Sequence, residues 1–116
     1  MRLTALESAA LREICRQEAN WREILERQVA TATVLGRKNS GAGFFTSFSI
    51  DRTTLPVTDG RRVIGNVAAA LEGFQDPLLL MLFMNDGYAD FLEGAAVRDS
   101  TLGIDLATIA FKVIRQ

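Results

Sequence analysis

Apolar residues in the first part of the chain recur with the period of an amphipathic helix. They return about every 3.6 residues and fall on one stripe, with charged residues on the far side. Thr4 followed by Glu7 fits a capping box, in which two side chains bond to free backbone N–H groups at a helix start. We therefore predict one long N-terminal helix over about residues 4–28. Its stripe is Leu3, Leu6, Ala10, Ile14, Trp21 and Leu25.

Beyond residue 28 the pattern changes to the alternation that is typical of β-strands. The clearest case is residues 44–50, where one face is clearly apolar. Its alternating sets are Phe44, Thr46, Phe48 and Ile50 on one face and Phe45, Ser47 and Ser49 on the other. Segments rich in Gly, Pro, Asn and Asp separate the predicted strands. The predicted strands are 29–37, 44–50, 62–71, 78–84, 88–93 and 106–114. We predict a single α+β domain over residues 1–116, in which the helix packs on an antiparallel sheet of five or six strands at about 29–115.

Residues 78–84 form the longest apolar run, seven residues without one polar side chain. A half-exposed antiparallel strand should alternate, so both of its faces need a cover. One helix covers one face of a sheet. A second copy of the chain, or a sheet that curls and closes on itself, must cover the other. We favour a homodimer, and the candidate interface residues are Leu78, Leu80, Leu82 and Phe83.

Several kinds of chemistry are excluded by residues that the sequence lacks. It has no histidine, which removes His-containing triads and the commonest metal ligand. The single cysteine, Cys15, forms neither an intramolecular disulfide nor a cysteine-based zinc site. We therefore predict no catalytic residue, no metal and no cofactor, and we favour a protein that is not an enzyme.

The same sequence gives an expectation about location. The seven-residue apolar run is far shorter than the ~20 residues that span a bilayer. Glu7 and Glu13 near the start do not suit a secretory signal. We expect a cytoplasmic protein that has no contact with a membrane.

Charge is balanced overall but separated along the chain. Residues 37–62 carry five cations against two anions, and residues 76–105 carry six anions against one cation. This is too little concentrated positive charge for nucleic-acid binding, whereas such separation can steer a charged protein partner. Together with the absent catalytic groups, it favours a non-catalytic interaction protein with an unidentified protein partner.

Four carboxylates form the one acidic cluster in the sequence: Asp86, Asp90, Glu93 and Asp99. Asp90 and Glu93 are separated by an odd number of residues, so a regular strand points them to opposite faces. We interpret the cluster as solvated edge carboxylates.

The alternative function is small-ligand binding, or an enzyme that uses carboxylate chemistry in a pocket between helix and sheet. Glu93 would be the acid or base of such an enzyme. The candidate pocket residues are Phe44, Phe48, Tyr88, Glu93 and Arg98.

Two short motifs carry a family resemblance. The first is Gly43-Phe44-Phe45-Thr46 with Phe48, and the second is Asp86-Gly87 followed by Phe91-Leu92-Glu93-Gly94. Residues 41–94 thus resemble a family of small uncharacterised bacterial proteins with a G-x-G-F-F-T-x-F segment and a later D-G … L-E-G segment. The family has no established activity. Some similar proteins accompany toxin-type systems, which implies an immunity or accessory role. Family members have an aromatic residue where this chain has Ala95, so no role is carried over to that position.

Overall fold

Two helices and six strands follow one another in the computed structural model, which describes residues 2–115. The elements are α1 Ala5–Gln17, α2 Arg22–Ala30, β1 Thr33–Asn39, β2 Gly43–Ser49, β3 Val63–Leu71, β4 Leu78–Asn85, β5 Tyr88–Ala95 and β6 Phe111–Ile114. The strands form one sheet in the order β1-β2-β5-β4-β3-β6, and every neighbouring pair is antiparallel. The predicted α+β class and the antiparallel sheet are confirmed.

The single long helix of the sequence prediction is wrong, because the chain breaks after Gln17. A straight helix over residues 4–28 would be about 37 Å long, whereas six strands span only about 24 Å. Breaking the helix lets α1 pack on β3 and β4 while α2 packs on β5. Glu18 ends α1 and forms an ion pair with Arg61 in the loop before β3.

The start of α1 agrees with the sequence prediction. The Thr4 hydroxyl accepts a hydrogen bond from the Glu7 backbone N–H at 3.1 Å, and the Thr4 N–H donates to the Glu7 carboxylate at 2.8 Å. The capping box is complete. Within residues 2–115, neither helix is long and apolar enough to cross a membrane.

The core lies between the helices and one face of the sheet. From α1 it contains Leu6, Ala10, Leu11 and Ile14, all at most 2% exposed. From the sheet it contains the alternate residues of β4 together with Phe44, Phe48, Ile64, Val67 and Leu92. We call this side of the sheet the covered face.

A bulge in β3 adapts the covered face to α1. Ile64 pairs with Leu82 and Val67 pairs with Leu80, so β3 has one extra residue between them. Gly65 has a φ of +89° there, and a Cβ would lie 2.6 Å from the Ile14 side chain. Only glycine allows both this conformation and the close approach of the helix.

Gln28 of α2 anchors two connections to the core. Its side-chain amide is fully buried and donates to the carbonyl groups of Leu55 and Gly87. Its oxygen accepts a hydrogen bond from the Ala89 N–H at 2.9 Å. The loop between β2 and β3 and the turn between β4 and β5 are therefore fixed to the helix side of the protein.

Candidate functional site: the open face of the sheet

The face of the sheet opposite the helices has no cover among residues 2–115. We call it the open face. Several of its large apolar side chains remain exposed, among them Val63 at 40%, Leu79 at 39% and Ile114 at 39%. None of its large apolar side chains belongs to the core or packs against it. The open face includes Lys38, Phe45, Ser47, Ser49, Val63, Ala68, Ala70, Leu79, Met81, Phe83, Phe91, Glu93, Ala95, Lys112 and Ile114, with the bare backbone of Gly36.

Three phenylalanines form a continuous aromatic surface at the centre of the open face. Phe83 on β4 lies opposite Phe91 on β5, and their rings stack with centroids 4.4 Å apart and planes 8° apart. Phe45 on β2 meets Phe91 at 6.1 Å in a tilted arrangement. Aromatic side chains dominate the energetics of protein interfaces. A partner that covers this surface would therefore gain the most binding free energy here.

One row of the open face crosses four strands and contains two charges. The pairing places Lys38 opposite Phe45, Phe45 opposite Glu93, and Glu93 opposite Met81. Glu93 is half-buried and Lys38 is exposed. Among the described residues, neither side chain has a hydrogen bond or an ion pair. The row thus presents an unpaired anion and an unpaired cation on either side of an aromatic ring.

The predicted interface residues divide between the two faces. Leu78, Leu80 and Leu82 are at most 1% exposed and lie in the core of a single chain. Only Phe83 lies on the open face. The outward-facing residues between these buried leucines are Leu79 and Met81, which the sequence analysis did not name as interface residues. The run is apolar on both faces, as its composition requires, but the outward set is the odd-numbered one.

Asp90 lies in a bulge of β5. Phe83 pairs with Phe91 and Met84 with Ala89, so Asp90 is an extra residue in β5. Ala89 is buried in the core, whereas Asp90 lines a cleft together with Phe91. The bulge shifts the alternation by one residue between Ala89 and Phe91, so the odd spacing of Asp90 and Glu93 does not fix which faces they point to.

This cleft lies at one end of the open face and has a volume of about 680 Å³. The loop before β3 and the turn between β4 and β5 form its walls, and Phe83 and Phe91 form part of its lining. Arg61 in its wall forms ion pairs with Glu18 and Asp59.

The predicted pocket residues do not share a cavity. Phe44 and Phe48 are each 5% exposed and fill the core on the covered face. Glu93 lies on the opposite face of the sheet. Phe44 also lines a pocket of about 200 Å³ at the start of α1, but none of the other four predicted residues lines it.

The other two predicted pocket residues have structural partners at separate places. The Tyr88 hydroxyl donates to the Thr54 carbonyl at 2.8 Å, and the Arg52 guanidinium lies 4.3 Å from the centre of its ring. Arg98 forms an ion pair with Asp76, with 2.6 Å between the closest atoms. Both residues fix loops to their neighbours.

Sequence reasoning missed a buried carboxylate. Glu7 is 2% exposed and accepts hydrogen bonds from Arg37 on β1, from Thr46 on β2 and from the Thr4 backbone. Burial raises the pKa of Glu7, but these hydrogen bonds outweigh it and hold the pKa below its ordinary value. Since donors already satisfy both oxygens, Glu7 joins helix to sheet and has no free lone pair for catalysis.

Reactive thiol chemistry is not supported at Cys15. The side chain is buried at 3% exposure, and burial together with the nearby Glu26 carboxylate raises the pKa of the thiol to about 11. The neutral thiol is a poor nucleophile. Within residues 2–115, no group of three or more His, Cys, Asp or Glu side chains is placed to hold a metal ion.

The two motifs that carry the family resemblance lie on neighbouring strands. Phe44 in β2 pairs with Gly94 in β5, and a Cβ at Gly94 would lie 2.3 Å from the Phe44 ring. The glycine thus leaves room for the aromatic ring of the other motif. No protein-family model, no curated protein and no solved structure matches this chain. Membership of the resembling family stays a prediction.

Proposed function

We propose that the protein is a non-catalytic interaction module that forms a homodimer through the open face of its sheet. The observation that carries this proposal is the contiguous, half-buried aromatic surface of Phe45, Phe83 and Phe91 on the face opposite the helices. Contiguous apolar surface of this kind marks association sites, because covering it removes apolar area from water. An immunity or accessory role stays the expectation that the family resemblance implies.

A second copy is the partner that the charges of the open face favour. One row of the face presents an unpaired anion, Glu93, and an unpaired cation, Lys38. A further cation, Lys112, lies on β6 at the far edge of the same face. A surface that carries both signs is complementary to itself. Two-fold dimers use the same patch on both subunits, which requires such self-complementarity.

The experiment removes the rings without adding charge. In the double variant Phe45→Thr with Phe91→Thr, threonine keeps a strong preference for strands but loses the aromatic area. Sedimentation equilibrium of the wild type should show twice the 12.7 kDa of one chain at high concentration. The double variant should remain at one chain mass, with unchanged far-ultraviolet circular dichroism.

A matched control removes two exposed leucines elsewhere, Leu55→Thr with Leu102→Thr, at 66% and 70% exposure. Both lie in loops, and this variant should dimerise like the wild type. A wild type that stays at one chain mass up to millimolar concentration would refute the homodimer. A folded ring-deleted variant that still dimerises would refute the open face as the contact surface.

The 680 Å³ cleft favours a second candidate, small-ligand binding at the end of the open face. Its size falls within the range of ligand pockets, and it has both apolar and charged walls. Native mass spectrometry of the protein purified gently from its host tests this candidate. A reproducible small adduct that is lost in the variant Asp90→Ala would support it, and a bare chain mass would count against it.

A further inference from the structure

We infer that the two copies meet about a two-fold axis parallel to β2, so that Lys38 of each copy pairs with Glu93 of the other. This inference rests on the proposed homodimer and specifies its geometry. The juxtaposition that carries it is the row Lys38, Phe45, Glu93, in which the two charges flank the ring on either side.

The spacing of the strands makes the pairing symmetric. Neighbouring strands lie about 4.8 Å apart, so Lys38 and Glu93 each lie one strand spacing from Phe45 in opposite directions. A two-fold axis along β2 places the open faces of the two copies against each other. The strands of the second copy then follow in the reverse order across the interface, and each row of one copy faces the same row of the other. Lys38 of one copy then faces Glu93 of the other, and the Phe45 rings meet on the axis.

Packed sheets cross at about 30°, and this angle leaves the pairing intact. Both charged residues lie about 5 Å from the axis, so the crossing displaces them by only about 2–3 Å. The flexible stem of lysine spans such a displacement. Rows that lie further along the strands from this crossing point are displaced more from the matching rows of the other copy.

Other axes in the plane of the sheet leave Glu93 uncompensated. An axis along β5, or one perpendicular to the strands through this row, places Glu93 against Glu93 of the other copy. An axis between β5 and β4 places Glu93 against Met81. Removing a half-buried carboxylate from water without a cation is costly. The axis along β2 is therefore the arrangement that compensates both charges.

The adjacent row of side chains fits the same axis. In it, Gly36 lies opposite Ser47 and Ser47 lies opposite Phe91. The axis along β2 therefore brings Phe91 of one copy over Gly36 of the other. A Cβ at Gly36 would meet nothing within 4 Å, so the bare backbone leaves space for the incoming ring.

This arrangement overlaps β1, β2 and β5 of the two copies, which is about half of the six-stranded sheet. The overlap is smaller than that of a typical permanent dimer. We therefore expect an association that depends on protein concentration and weakens as salt is added.

Two opposite charge reversals test the register. Lys38→Glu alone gives a dimer with two Glu–Glu contacts, and Glu93→Lys alone gives one with two Lys–Lys contacts. Each variant should dimerise at least tenfold more weakly than the wild type in sedimentation velocity. An equimolar mixture of the two variants restores both opposite-charge pairs in the heterodimer, and it should associate at least tenfold more tightly than either variant alone.

The control reversal is Lys112→Glu on β6, the edge strand furthest from the axis, and it should leave dimerisation unchanged. If the mixture associates no better than its two components, the register is refuted. The homodimer itself still stands in that case, provided that the wild type dimerises and the ring-deleted variant does not. If the wild type does not dimerise, both the register and the proposed function fall.

Discussion

The two faces of β4 are both apolar but have different surroundings. On β4, Leu80 and Leu82 are at most 1% exposed beneath the helices, while Met81 and Phe83 between them lie on the open face. Adjacent residues of one strand thus belong to two different environments. The covered face accounts for the stability of the single chain, and the open face has apolar area that folding alone leaves in contact with water.

The carboxylates of the two sides show the same contrast. Glu7 on the covered side accepts hydrogen bonds from three residues and is closed to solvent. Glu93 on the open face has no partner among residues 2–115. A charge that the fold has already satisfied is structural, whereas an unsatisfied charge among apolar neighbours is available to a partner.

The largest expected effect compares Leu82→Ala with Met81→Ala, two neighbours that point to opposite faces. Leu82→Ala leaves a cavity in the core and should lower the free energy of unfolding by about 2–5 kcal/mol. Met81→Ala should cost less than about 1 kcal/mol in the dilute protein, where the open face is wet. Urea denaturation at low protein concentration measures both values, and equal losses would contradict the assignment of the faces.

A smaller effect is expected from removing the buried charge. Glu7→Gln weakens the hydrogen bonds from Arg37 and Thr46 and should cost about 2 kcal/mol at neutral pH. The matched change Glu93→Gln removes a charge without a partner and should alter the stability of the dilute protein by less than about 0.5 kcal/mol. A loss at Glu93 as large as that at Glu7 would show that Glu93 has a partner within the chain.

The contribution of Glu7 also depends on pH in a defined direction. Its pKa in the folded protein lies below the ordinary value of 4.5, so the folded state binds its proton less readily than the unfolded chain. The stabilisation is complete above pH 4.5 and is lost as the pH falls through the lowered pKa. The stability difference between wild type and Glu7→Gln should shrink over that range, and a constant difference would contradict this origin.

The sequence predicted the features that local pattern determines. Alternation, together with the apolar run at 78–84, located residues of all six strands, and the spacing of Thr4 and Glu7 predicted the start of α1. The break after Gln17 could not be predicted in this way, because it depends on the width of a sheet that forms from distant residues.

Contacts between distant residues explain the remaining differences. The run at 78–84 is apolar throughout, so its pattern does not indicate which alternate set meets the helices. The bulge at Asp90 moves the alternation by one residue without a local signal. The burial of Glu7 depends on Arg37 and Thr46, which lie 30 and 39 residues further along the chain.

The most direct test of the central claim uses the methionines as reporters of the two faces. The chain has three, and Met81 lies on the open face whereas Met84 is 7% exposed in the core. Hydrogen peroxide oxidises methionine in proportion to its access to solvent, and mass spectrometry of peptides resolves each position.

We predict that Met81 is oxidised at least severalfold faster than Met84 in dilute protein, because Met81 lies on the open face whereas Met84 lies in the core. Equal oxidation rates at the two positions would contradict the account, because the two methionines would then lie in similar environments.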